Sequence, residues 1–565
     1  MSQSISGFFK NNTFLAVLLS FIPLILYILA FNTIALNVNY VAFDDILILG
    51  VIPGFGEASL LEKWQRLTDL FPEHRLVFSR SIILLLHSIF GRLNLVWAMV
   101  IANLCWAGCA FVFYKAFKKL DLSLWYFVPI MWLWFNFQSF ENIFWGVSSL
   151  CNFGVLLFVI TSFYFAAYHP TRIVYALPFA LIATFTYGNG LMSFPVIAVL
   201  SLLSGQRKAF FITLAMMAIV AFIYFIDFTP ITQNLDFSDP KEVKEGFMGF
   251  FGFIGSITTL AAYTADPIKL SIAVATGIIM PVGLLLFFKN QWTALWQAVW
   301  CNKPYPNKTA LFAIALAMFI AITSLALTYK RIPTDHFEGM FKGRYRMYST
   351  LACIALYFCF LSLTRHTRRE KSLPFIIGLT VVLNLVILHS NFADAVTNRR
   401  SAVTQEFNAR YNADWLGTKM FSMDRTHLEK IRSYYSSEDP LATNWHPAAL
   451  SVSVACDSTY NPDLIVLEND HLRISYSEDF FPATKDYTDG GYVILKSDGH
   501  TYTAPLNQQP VPLKTTLRRQ MYFAKGGLAD FHVANIEPGN YSIYLLKRQN
   551  GVNRIYCTQK TWKEQ

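Results

Sequence analysis

Apolar runs near 20 residues recur through the first 391 residues of this chain, and a run of that length crosses a bilayer core as a helix. Inside lipid every backbone polar group must be satisfied within the protein, so a chain of such runs folds as a helical bundle. Soluble domains carry about 25% charged residues. Here 15% are charged and 54% are hydrophobic. The chain reads as an α-helical polytopic membrane protein. About eleven spans follow: residues 14–36, 94–114, 122–137, 147–168, 173–187, 191–205, 209–228, 268–288, 309–329, 346–364 and 373–391. The run 76–90 carries Arg80 and His87 in 15 residues, short of a comfortable span, and reads as a juxtamembrane or re-entrant helix. At about 1.5 Å per residue the runs 173–187 and 191–205, either side of Gly188-Asn189-Gly190, are also short. One or both read as broken.

Charge sets the expected orientation. The net charge of +10 does not point to nucleic acid, because Lys and Arg sit in short loops between spans. With the first run as a retained anchor and the N-terminus cytoplasmic, Lys115, Lys118, Lys119, Arg172, Arg207, Lys208, Lys289, Lys303, Lys308 and Arg365 to Lys371 all fall inside. Loops 37–93, 138–146, 229–267 and 330–345 fall outside and hold more acids. The expected location is the plasma (inner) membrane.

The pattern changes after residue 392. Residues 393–462 read as a polar helical linker, with apolar positions at Val396, Val403, Phe407 and Tyr411. Residues 463–565 alternate as short strands with turn signals at Asp489-Gly490, Asp498-Gly499 and Asn550-Gly551, which predicts a small β-sandwich. Eleven crossings would place it on the periplasmic or extracellular side. Cys456 and Cys557 could pair there or remain two free thiols.

Four clusters could carry chemistry. Asp44 and Asp45 follow the first span among apolar neighbours, where partial desolvation would raise a carboxylate toward a useful general base. Two acids solvating a loop end is the plain alternative. Glu73-His74-Arg75, with Arg80 beyond, opens the short helix; Arg there could grip phosphate through its planar fork, or simply mark a charged helix start. Glu141, among aromatic residues, needs a partner or an aqueous cavity. Arg344, Tyr345 and Arg346 precede a span on the side where basic charge is disfavoured, which suits a lipid phosphate or anionic headgroups. No metal-ligand cluster, nucleotide loop or nucleophile motif is apparent, so no cofactor is expected, with a divalent metal left open.

Taken in order, these pieces resemble the GT-C superfamily of polytopic glycosyltransferases, especially bacterial members using polyprenyl-phosphate sugars. The elements are Asp44-Asp45, Glu73-His74-Arg75-Leu76, the loop Glu141 to Gly146, Tyr187-Gly188-Asn189-Gly190, and Gly343-Arg344-Tyr345-Arg346. The resemblance implies that a first-loop acid, Asp44 or Asp45, deprotonates an acceptor hydroxyl of a cell-envelope glycan or lipid. Glu141 would support it. Arg75, Arg344 and Arg346 would steady the departing lipid phosphate. The chain departs from the family pattern in having Glu141 where Asp is usual, no Lys before Gly188, and no Asp-x-Asp. A lipid-glycan flippase or transporter, or a glycan polymerase or ligase, is the alternative.

Overall fold

The computed structural model describes residues 12–35, 43–71, 73–230, 233–260, 267–411, 433–434, 441, 456, 458–477, 489–519 and 522–564. Its chain packs as two units. One takes the described residues up to Leu29, Gly56–Ile82 and Met99–Asn391; the other takes Ala30–Phe55, Ile83–Ala98 and Phe392–Gln565.

Eight helices are long and apolar enough to cross a membrane: Thr13–Ile34, Leu95–Leu120, Gly146–Tyr168, Arg207–Phe225, Pro267–Phe288, Lys308–Asp335, Gly343–Leu363 and His366–Gln405. This is fewer than the eleven expected. The runs 122–137, 173–187 and 191–205 form shorter apolar helices, Leu124–Trp134, Pro170–Thr184 and Gly188–Leu203, and the juxtamembrane run forms Val77–Phe90. Apolar content alone overcounts because it ignores where the backbone turns. Asn136 ends one short helix by bonding its own turn, its amide donating to Leu133 O and its Oδ1 accepting from Gln138 N. Gly188-Asn189-Gly190 ends another in a tight 3-10 turn, where a Cβ on Gly190 would overlap Ala183 O.

Burial divides the eight. Between 56 and 72% of the core windows of Leu95–Leu120, Gly146–Tyr168, Lys308–Asp335 and Gly343–Leu363 is buried, against 22–28% in the other four. Aromatic stacking fills the first group: Trp134 lies 3.6 Å from Trp106 ring to ring, and Trp106 stacks on Phe153 at 4.5 Å. The helix Pro240–Gly255 lies in what the sequence presents as a loop. Its glycines, three residues apart, face different neighbours: Gly249 meets Ile332 and Met340, Gly252 meets Phe341, and at Gly255 the helix packs backbone to backbone on Pro267–Phe288, where a Cβ on Gly255 would overlap Ala273 O and one on Gly277 would overlap Phe251 O.

In the second unit the last apolar helix runs on without a break to Tyr411 as His366–Tyr411, and Val396, Val403 and Phe407 are buried. Arg399 donates to the carbonyls of Thr33 and Ile34, capping the end of the first helix. Asn408 pairs with both backbone groups of Thr503. The strands are β3 (Ser458–Thr459), β4 (Leu464–Glu468), β5 (His471–Tyr476), β6 (Gly490–Lys496), β7 (Thr501–Pro505), β8 (Gly527–His532), β9 (Gly539–Gln549) and β10 (Val552–Glu564), numbered after a short β1–β2 pair at Leu70–Phe71 and His74–Arg75. They form a five-stranded sheet, β3-β10-β9-β6-β7, and a three-stranded sheet, β4-β5-β8. One hydrophobic core joins them, with Leu472, Ile474 and Phe531 from one sheet and Val493, Leu495, Tyr541, Ile543 and Leu545 from the other. Asn550 and Gly551, both at positive φ, make the β9–β10 turn at the predicted place. Asn408 thus covers the edge strand β7, and Cys456 is disulfide-bonded to Cys557.

Candidate functional site

The first unit contains a cavity of about 200 Å³ whose wall includes Glu73, His74, Asn152, Tyr187, Asn189 and Lys330, with Arg331, Tyr224, Thr323, Tyr345 and Tyr348 completing its polar lining. The β1–β2 pair brings Glu73 and His74 to it, through the register Phe71↔His74 and Leu70↔Arg75. His74 packs on Tyr187 with ring centroids 4.3 Å apart. Gly188 is needed beside them: a Cβ there would sit 2.7 Å from both His74 Nδ1 and the Tyr224 hydroxyl. Burial, reinforced by the Arg331 charge, pushes the His74 imidazole down to about 4, so it is neutral at ordinary pH.

The cations come from the end of Lys308–Asp335. Lys330 lies 4.0 Å from Glu73, and Arg331 lies 4.0 Å from Asp335, which Lys342 also contacts at 2.6 Å. Elsewhere in the lining Asn189 donates to the Tyr348 hydroxyl at 2.6 Å. Four buried polar atoms of the lining, Asn152 Oδ1, Asn189 Oδ1, the Tyr224 hydroxyl and Thr323 Oγ1, have no hydrogen-bond partner in the protein. Buried polar groups are nearly always paired, so four orphans around one cavity mark a place that a polar ligand would complete. Beside it runs an apolar groove of about 700 Å³ between Pro240–Gly255 and Lys308–Asp335, lined by Val243, Phe247, Phe250, Phe251 and Leu325. Met192 and Ala326 line both spaces.

The residues singled out in the sequence fall into four groups. Glu73, His74 and Tyr345 line the cavity. Arg75, Arg80 and Arg346 are buried and occupied by carbonyls. Arg75 donates to Tyr224 O at 2.7 Å, Thr68 O at 2.6 Å and Ile226 O; Arg80 donates to Leu67 O and Asp69 O; Arg346 donates to Phe341 O and to Asn391 Oδ1. They act as backbone clamps. Glu141 accepts from the backbone N–H groups of Gly343 and Arg344 at 3.1 and 3.3 Å, while Asn142 donates to Arg344 O at 2.7 Å. This pair shapes the 343–346 turn and sets the Arg344 guanidinium 5.8 Å from the Trp145 ring and 5.5 Å from that of Tyr345. Asp44 and Asp45 sit on a short helix, Phe43–Leu49, in the second unit; Asp45 is buried, and the Asp44 side chain lies outside the described residues.

Sequence reasoning passed over Lys330 and Arg331. The signal was present: two adjacent cations close an apolar run, as the 342–346 cluster opens the next, in a loop that the charge reading expects on the outer side. Among the described residues no three His, Cys, Asp or Glu side chains gather as a metal site. Scans against family models, curated proteins and solved structures return no match to this chain.

Proposed function

We propose that this protein is a membrane glycosyltransferase of GT-C type, taking a sugar from a polyprenyl-phosphate donor to a hydroxyl of a cell-envelope acceptor. The observation that carries the reading is the junction of a cationic cavity with an apolar groove. Lys330 and Arg331 suit a phosphate, the groove suits a hydrocarbon chain, and Met192 and Ala326 belong to both. An amphiphile with an anionic head matches this pair of spaces better than a wholly polar or wholly apolar ligand. The orphaned groups of Asn152, Asn189 and Tyr224 suit sugar hydroxyls.

In the reaction, the acceptor hydroxyl gives its proton to a carboxylate, a role that the family resemblance gives to the first-loop acid Asp44 or Asp45. Its oxygen bonds to the anomeric carbon as the bond from that carbon to the phosphate oxygen breaks. The electron pair leaves with the lipid phosphate, whose charge Lys330 and Arg331 neutralise. Glu141 serves by fixing Arg344 rather than as a base, since two backbone N–H groups already occupy its carboxylate. The Cys456–Cys557 disulfide supports an oxidising, extracytoplasmic side for the C-terminal unit. Parity of crossings no longer carries that assignment, because it depends on the short helices.

A lipid-glycan flippase is the second reading, favoured by the broken pair Leu177–Thr184 and Ser193–Leu203, whose connecting turn lines the cavity. Membranes containing the wild type, Lys330→Ala or Arg331→Ala should be given radiolabelled polyprenyl-phosphate sugars. Transfer by the wild type, reduced tenfold or more in both variants at equal expression, is expected. Donor that crosses the bilayer unconsumed would replace the transferase with the flippase.

A further inference from the structure

The Leu60–Thr68 helix is stabilised by its own sequence. Glu62 N–H donates to Ser59 Oγ at 3.3 Å, and Ser59 N–H donates to the Glu62 carboxylate at 2.8 Å, closing a capping box. At the helical period Leu60, Leu61, Trp64 and Leu67 share one face, while Glu62, Lys63, Gln65 and Arg66 share the other. Most of the apolar face is exposed. Leu60, Leu61 and Trp64 are 87, 67 and 54% exposed.

Arg75 says what lies against them. Its guanidinium joins Thr68 O, at the end of this helix, to Tyr224 O and Ile226 O, at the end of the apolar helix Arg207–Phe225. That longer helix turns Phe222, Ile223 and Phe225 outward, as a lipid-facing span does. The amphipathic helix is therefore tied at the level where a lipid-facing helix ends. A Trp and Leu face opposite a charged face is the composition of helices lying in the plane of the headgroups. His74, next to Arg75 in the chain, lines the cavity.

We propose that Leu60–Thr68 lies in the membrane interface with Leu60, Leu61 and Trp64 among the lipid chains, and that Arg75 uses this seat to hold the His74 wall of the cavity at lipid level. The partner is the bilayer itself, and the inference stands apart from what the cavity turns over. A second copy of the chain, or another protein, is the competing occupant.

The test uses the full chain in phosphatidylcholine–phosphatidylglycerol nanodiscs. Cys301 is the exposed free thiol and is first changed by Cys301→Ser. Nitroxides are then placed singly through Leu61→Cys, Trp64→Cys, Gln65→Cys and Arg66→Cys, and collision rates with oxygen and with a water-soluble nickel chelate are measured by power saturation. Oxygen should dominate at 61 and 64 by several-fold, and the chelate at 65 and 66. Chelate dominance at all four positions would put the helix in water, and protection of 61 and 64 from both reagents would put protein on that face. Either result overturns the proposal. Adding Arg75→Gln should shrink the contrast between 61 and 65; an unchanged contrast removes Arg75 from the arrangement.

Discussion

His74 and Glu141 show how neighbouring groups decide what an ionisable side chain can do. His74 titrates lower in the folded protein than in the unfolded chain, because burial and Arg331 both oppose its charge. The unfolded state therefore binds more protons between about pH 6.5 and about pH 4. Its contribution to stability is complete above that window and is lost as pH falls through it. A thermal-unfolding series from pH 7 to pH 4 in detergent should show a steeper acid loss for the wild type than for His74→Gln. Equal slopes would remove His74 as the source. For Glu141, the Glu141→Gln variant keeps one acceptor oxygen toward Gly343 and Arg344, whereas Glu141→Ala leaves two N–H groups unpaired at a cost of about 1–3 kcal/mol each where buried. Donor transfer should survive in the first and fall together with thermal stability in the second. Transfer abolished in Glu141→Gln with stability intact would instead make this carboxylate the base.

At the scale of elements, the Pro240–Gly255 helix forms one side of the apolar groove, and its position depends on glycine. Gly277 of Pro267–Phe288 meets the Phe251 carbonyl so closely that any side chain there forces the two helices apart. Gly277→Ala should destabilise the protein by about 1–3 kcal/mol, the range for overpacking a tight contact. It should also weaken binding of a polyprenyl phosphate, measured by competition with a fluorescent analogue. Gly56→Ala is the control, because its Cβ would meet nothing. Apolar run lengths in the sequence located seven of the long helices to within about six residues and the last only by its middle, since 373–391 lies inside His366–Tyr411; Asn550-Gly551 located its hairpin. The Pro240–Gly255 helix stayed hidden because its first turns are charged and its apolar stretch, from Phe247 to Ile254, is far shorter than the run of about 20 that marks a span. The run 122–137 was counted as a span because apolar composition persists across the turn made by Asn136, whereas the pair flanking Gly188-Asn189-Gly190 reads as short in the sequence and forms two short helices.

For the whole molecule, the disulfide is the most direct handle on sidedness. Cys456 and Cys557 are 101 residues apart, a loop whose closure stabilises by roughly 4–5 kcal/mol in the chain-entropy picture. A large maleimide added to unreduced, denatured protein should leave both cysteines unmodified and reach them only after reduction. On intact cells with a permeable outer layer, an impermeant reductant should expose them. Labelling without reduction would remove the support for an extracytoplasmic C-terminal unit. The sequence by itself determined the solvent each part is suited to: lipid for the apolar runs of the first 391 residues, and water for the alternating strands after 463. It could do so because transfer free energy is a local property of side chains. Tertiary structure decided which charges are available. Arg75, Arg80 and Arg346 have the same chemistry as Arg331, yet three are occupied by carbonyls while Arg331 lines a cavity beside Lys330. That difference comes from carbonyls as far as 151 residues away in the chain, and no local pattern encodes it.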